Sequence, residues 1–263
     1  VLTGTLSRPG AVLRYECRPG ERPAVVLTHG AGMNHEAFAA QAVALREAGH
    51  QVVLWDLRAH GDSALAPGTR FTAEDALADL AALLDHLELD RPVLVGHSLG
   101  GNLSQALVRR APERARGLVV IGSTWNAGPL TRAERGMLRL AAPALGVVPE
   151  SRLPRMMAKA SAVTPAAIAA TEAVFARMPK HVFLDVWRGT VALVEPDPGY
   201  RTPVPLTLIR GARDRTGNIA TAMPRWAAAE GVSEHIIPGA GHVAMLDAPG
   251  EVSALLAGVL TAG

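Results

Sequence analysis

The chain has 263 residues, 49% of them apolar, and a formal net charge of +2. That length supports one well-buried core and argues against a second independent one. A near-neutral charge with no dense basic stripe excludes a nucleic-acid footprint, and no run reaches the roughly 18 uncharged apolar residues of a membrane span.

The opening VLTGTLSRPG lacks the basic and apolar regions of a signal peptide. The first residue is Val1 rather than Met, which leaves room for a trimmed leader. Strands are predicted over 12–15, 24–28 and 51–55, with a helix over 35–48. In TAEDALADLAALLDHLEL, Leu77, Leu80, Leu84 and Leu87 share one helical face and Thr72 is placed as N-cap. A strand over 92–96, a helix over 99–111 and a strand over 117–122 follow. Beyond residue 203 come a strand at 206–210, a helix at 219–230, a strand at 234–237 and a helix at 251–260. The runs VVL, VVLW, VLV, LVVI and LTLI are continuously apolar, as in parallel strands buried on both faces. Alternating strands and helices predict an α/β fold with right-handed crossovers.

One connection breaks this rhythm. Roughly eighty residues separate the strand ending near Gly122 from the one beginning near Leu206, where a crossover needs only a dozen or more. The stretch reads as several helices punctuated by Pro143, Pro154, Pro165 and Pro179. The expected organisation is a core over 1–124, a helical cap over 125–200 and a second core segment over 201–263.

Minor features carry little chemistry. Arg109, Arg110, Arg114 and Arg116, interrupted by Pro112 and Glu113, read as a solvated helix end. Cys17 is the lone cysteine, so no intrachain disulfide forms, which suits a reducing, cytoplasmic setting. The nine histidines show no metal-ligand spacing, and no phosphate-binding glycine loop follows a strand. No metal or other cofactor is therefore expected.

The chemistry concentrates in three segments. Gly96-His97-Ser98-Leu99-Gly100 lies between a predicted strand and a predicted helix. A serine on so sharp a turn needs glycines around it, and the turn offers its hydroxyl at a helix N-terminus. With 26 glycines in the chain the pattern alone is weak; its position gives it weight. Gly239-Ala240-Gly241-His242 and Arg210-Gly211-Ala212-Arg213-Asp214 each follow a strand end, where an open α/β sheet gathers its site. The order serine, acid, histidine is that of a hydrolase triad. Asp214 is the expected acid, because Ser123-Thr124-Trp125-Asn126 after the preceding strand contains no carboxylate. Asp247, before Ala248-Pro249, reads instead as a helix N-cap.

THGAGMN, DLRAHGDS, VGHSLGG, IRGARDRTGN and PGAGHVAMLDAPGEV together resemble the α/β-hydrolase superfamily, in its capped serine esterase and lactonase branch. The resemblance implies a mostly parallel central sheet flanked by helices, with an inserted helical cap. It implies Ser98 as nucleophile, His242 as base and Asp214 as the acid. The N–H groups of Leu99 and Ala31 would form the oxyanion hole, with Gly32 or Met33 in place of Ala31 if the loop is shifted. His29 would orient that loop, Asp56 and Arg58 would stabilise the fold, and His60 reads as an exposed loop residue. Relatives that open epoxides or remove halide carry aspartate at the elbow; serine there points to acyl transfer to water. His97, Trp125, Met137, Met156, Phe175, Trp187 and Val243 are the expected substrate-binding residues, with Leu138, Met157 and Phe183 as further candidates in the cap. The expected partner is a small to medium apolar ester or lactone, bound by a monomer or homodimer. Thioester, amide or carbon–carbon cleavage, perhydrolysis, and a low-turnover sensor remain open alternatives.

Overall fold

The computed structural model describes residues 1–261. Nine strands form one sheet: β1 Gly4–Arg8, β2 Ala11–Arg18, β3 Arg22–Thr28, β4 His50–Trp55, β5 Ala64–Leu65, β6 Val93–His97, β7 Gly117–Ile121, β8 Leu206–Gly211 and β9 Glu234–Ile237. Their spatial order is β1-β2-β4-β3-β6-β7-β8-β9, with β5 beside β2. β2 runs antiparallel to its neighbours β1, β4 and β5. From β4 through β9 every pairing is parallel. β1 and β5 were not among the predicted strands. Both flank β2 at the antiparallel margin, and β1 is half-buried without an apolar run.

The continuous apolar runs are explained by two packed layers. Val26, Leu94, Val120 and Leu208 point into one core; Val25, Val95, Val119 and Ile209 point into the other. Successive side chains of a strand face opposite sides, so a strand covered on both faces must be apolar throughout. Helices α2 Ala73–His86, α3 Leu99–Arg110 and α8 Ile219–Glu230 cover the first face. Helices α1 Ala39–Glu47 and α10 Pro249–Thr261 cover the second. Thr72 caps α2, its hydroxyl accepting the Asp75 N–H at 3.1 Å. The helix predicted from residue 35 begins as a 3-10 turn, His35–Phe38, before α1.

Four helices lie between β7 and β8: α4 Arg132–Gly146, α5 Leu153–Ser161, α6 Pro165–Phe175 and α7 Lys180–Ala192. A capping box of Thr131 and Glu134 starts α4. Pro154 and Pro165 sit in first turns and Pro179 is the N-cap of α7, where a missing N–H removes no helical bond. Pro143 departs from expectation. It lies inside α4 rather than ending it, exposed and within four residues of the C-terminus. A short helix α9, Ala244–Asp247, precedes α10. Among the described residues no helix is long and apolar enough to cross a membrane.

Candidate active site

β6 and α3 meet at Ser98, whose φ of 50° and ψ of −117° lie where non-glycine residues are uncommon. Its N–H donates to Ile121 O at 3.0 Å, pinning the turn to β7. Space dictates the flanking glycines. A Cβ on Gly96 would lie 2.3 Å from Gly100 O, and one on Gly100 would lie 2.1 Å from Thr28 O. The Ser98 side is left half-buried, facing a cavity of about 70 Å³.

His242 follows β9 and lines the same cavity. Its Nδ1–H donates to Asp214 Oδ2 at 3.0 Å in a buried contact, so that in the neutral ring Nε2 is the accepting nitrogen. Asp214 is buried, and its other oxygen accepts the Thr216 N–H at 2.8 Å. Burial favours the neutral acid, but the His242 ring and the Thr216 N–H outweigh it and hold the Asp214 carboxyl below its usual range. The carboxylate is therefore charged and fixes the imidazole tautomer.

On the other side of the serine, the loop after β3 is braced by buried His29. Its Nδ1–H donates to Gly30 O at 2.8 Å, and its Nε2 accepts the Leu57 N–H at 3.1 Å. Ala31 from this loop lines the cavity. Neither the Ala31 nor the Leu99 N–H is taken by an acceptor among the described residues.

Of the expected substrate-binding residues, His97, Phe175, Trp187 and Val243 line the cavity. His97 is buried, and its Nε2–H donates to the His242 backbone oxygen at 3.1 Å. Burial, with the His242 ring beside it, holds His97 well below the usual imidazole range and thus neutral. Met137, Met156 and Trp125 do not line the cavity. Met137 and Met156 are exposed, whereas their neighbours Leu138 and Met157 line it, one residue and about 100° further round each helix. Trp125 is buried against Trp226, their rings stacked at 6.1 Å. Phe183 packs edge-on to Phe175, outside the cavity wall. Thr190, Val191 and Val194 were missed, although they continue the Trp187 face at helical spacing.

Two further readings are corrected. His60 is buried between His29 and Phe71 rather than exposed. Burial first, then the His29 ring, depress it to about 3. Asp247 is not an N-cap: it closes α9, and its carboxylate accepts backbone N–H groups of Gly241, Val163 and Thr164. Asp56 and Arg58 are buried; Arg58 forms a two-pronged bond to Asp79 at 2.6 and 2.8 Å. His35, Asp56 and Asp62 offer ligand atoms within 4.8 Å of one another. Hydrogen bonds account for that proximity: Asp56 accepts the N–H groups of His35 and Asp62 at 2.6 and 2.7 Å.

Fold and site together define an α/β hydrolase, and residues 25–255 match the model of the alpha/beta hydrolase family. The chain belongs to that family. It is 38% identical over 109 residues to 2-hydroxy-6-oxo-2,4-heptadienoate hydrolase of Pseudomonas putida, a match covering 41% of this chain and 40% of the relative. The match thus spans about two fifths of the curated relative. The fold is similar to a thermophilic esterase from Thermogutta terrifontis (24% identity, TM-score 0.80, covering 99% and 97% of the two chains). It is also similar to the enol-lactonase from Burkholderia xenovorans (21% identity, TM-score 0.82, covering 98% and 100%).

Proposed function

We propose that the chain hydrolyses a carboxylic ester or lactone of a small to medium apolar substrate through an acyl-enzyme on Ser98. The carrying observation is the buried 3.0 Å bond from His242 Nδ1–H to Asp214, made over the cavity that Ser98 faces. His242 Nε2 takes the Ser98 proton as the oxygen attacks the carbonyl carbon. Asp214 stabilises the imidazolium that forms. The N–H groups of Ala31 and Leu99 receive the oxyanion; losing one such donor costs about 3 kcal/mol in known systems. The imidazolium then protonates the leaving alkoxide. Water, deprotonated by the same nitrogen, adds to the acyl-enzyme and releases the acid.

The substrate class rests on the wall. Met33, Leu138, Met157, Phe175, Val191 and Val194 offer apolar surface, and Met adapts to varied shapes. Lone Cys17, half-buried in β2, is consistent with a reducing, cytoplasmic setting. The test is a panel of p-nitrophenyl esters, lactones and thioesters, run with fluorophosphonate labelling and peptide mapping. Label on Ser98 with ester or lactone turnover is the expected result. Label elsewhere, or turnover of thioesters alone, overturns the proposal.

A further inference from the structure

The cap does more than cover the cavity: its α5–α6 turn grips the histidine loop. Val243 N–H, one residue after His242, donates to Ser161 O at 3.1 Å. Gly241 N–H, one residue before it, donates to Asp247 Oδ2 at 2.9 Å. The other oxygen of the same carboxylate accepts the N–H groups of Val163 and Thr164 at 3.0 and 2.8 Å. The approach is close, since a Cβ on Gly241 would lie 2.8 Å from Ser161 O. Ser161 and Met157, from the end of α5, also line the cavity.

We infer that Asp247 is a positioning residue: its carboxylate joins the α5–α6 turn of the cap to the backbone before His242, so that cap seating sets the aim of His242 at Ser98. The inference rests on the reading of His242 as base. A carboxylate is suited to the task, because three converging N–H donors need an acceptor with several lone pairs and no proton. Asparagine has the same shape but only one accepting oxygen, and its NH2 must face at least one of those donors. The histidine loop is then held from one side only. A misplacement of about 1 Å can lower a rate about a hundredfold.

The experiment measures kcat, KM and the rate of Ser98 labelling by a small fluorophosphonate in wild type, Asp247→Asn, Val163→Pro and the double variant. Val163→Pro deletes one cap-side donor without touching the carboxylate. Its predecessor Ala162 is extended (φ −118°, ψ 158°), as proline requires. In Asp247→Asn, kcat and the labelling rate should fall together, about tenfold to a hundredfold, with KM changed about twofold or less. Val163→Pro should shift the same two quantities, and the double variant should be no slower than Asp247→Asn, because both act on one connection. A cap that only shaped the pocket would raise KM and leave labelling by so small a probe unchanged. That outcome overturns the inference, as do fully additive losses. If Asp247→Asn does not fold, Val163→Pro carries the same comparison. Wild type that takes no label at Ser98 removes the underlying reading instead, whatever Asp247 does.

Discussion

Replacing Asp214 by asparagine isolates what one proton and one charge do. In the native site two donors converge on this carboxylate, His242 Nδ1–H at 3.0 Å and Thr216 N–H at 2.8 Å, one on each oxygen. Asparagine has a single accepting oxygen, so one donor must face an NH2. If the NH2 faces His242, the ring turns its lone pair to Nδ1 and its proton to Nε2, where the serine proton should go. If it faces Thr216, the tautomer survives but the charge that stabilises the imidazolium is gone. A ten-thousandfold loss of kcat, about 5 kcal/mol, is expected from the serine-protease precedent, with KM little changed. The fold should survive with a loss of about 2 kcal/mol, because a charge-assisted buried bond is replaced by a neutral one. Ester turnover and a melting curve on the purified variant measure both. A folded Asp214→Asn protein with kcat within a few-fold of wild type would refute the reasoning. Among the described residues Asp214 is the carboxylate bonded to the His242 ring, whereas Asp247 and Asp56 are bonded to other groups.

Ser98→Ala should abolish fluorophosphonate labelling and turnover, down to the roughly thousandfold residual that an oxyanion hole supplies, while the melting temperature stays close to wild type. Gly100→Ala should destabilise the fold by about 3 kcal/mol or more, read by urea denaturation, because its Cβ would meet Thr28 O at 2.1 Å and His29 O at 2.7 Å, both backbone; a soluble variant of native stability would contradict that geometry. Stability should also fall as pH drops below neutrality. His60, held near 3 by burial, stays neutral in the fold but gains a proton in the unfolded chain below about 6.5. The unfolded state then binds more protons, so this contribution is complete above about 6.5 and declines toward 3, by at most about 1.4 kcal/mol per pH unit. His29 and His97 are shifted in the same direction and add to the slope. His60→Asn should flatten the curve of melting temperature against pH between 6.5 and 4, and an unchanged slope would reject His60 as a contributor.

What the sequence revealed, and what it did not, divides along physical lines. Doubly buried strands announce themselves, because VLV and LVVI have no polar residue to spare. The elbow was legible because Gly96 and Gly100 flank one short turn, where a Cβ on Gly96 would meet the Gly100 backbone four residues on; the clash of Gly100 with distant Thr28 was not. β1 and β5 were not, because marginal strands need no apolar run. The cavity wall was half legible. The prolines divided the insertion into helices, and adjacent pairs Met137–Leu138 and Met156–Met157 were all candidates; only the helix phase separates Leu138 and Met157, on the cavity, from Met137 and Met156, in solvent. The true partners of Asp247 lie at Val163 and Thr164, more than eighty positions away, and only tertiary packing brings them together.

The position of the helical insertion also bears on how the chain folds. β7 pairs directly with β8, Val119 opposite Thr207, yet some eighty residues, α4–α7 among them, intervene. Closing so long a loop costs roughly 2 kcal/mol more than closing a twelve-residue crossover. During synthesis the strands up to β7 emerge first, leaving Val119, Val120 and Ile121 on an unpaired edge until β8 arrives. An open apolar edge invites pairing with other chains. The nascent chain is thus most exposed to such pairing while α4–α7 are being made.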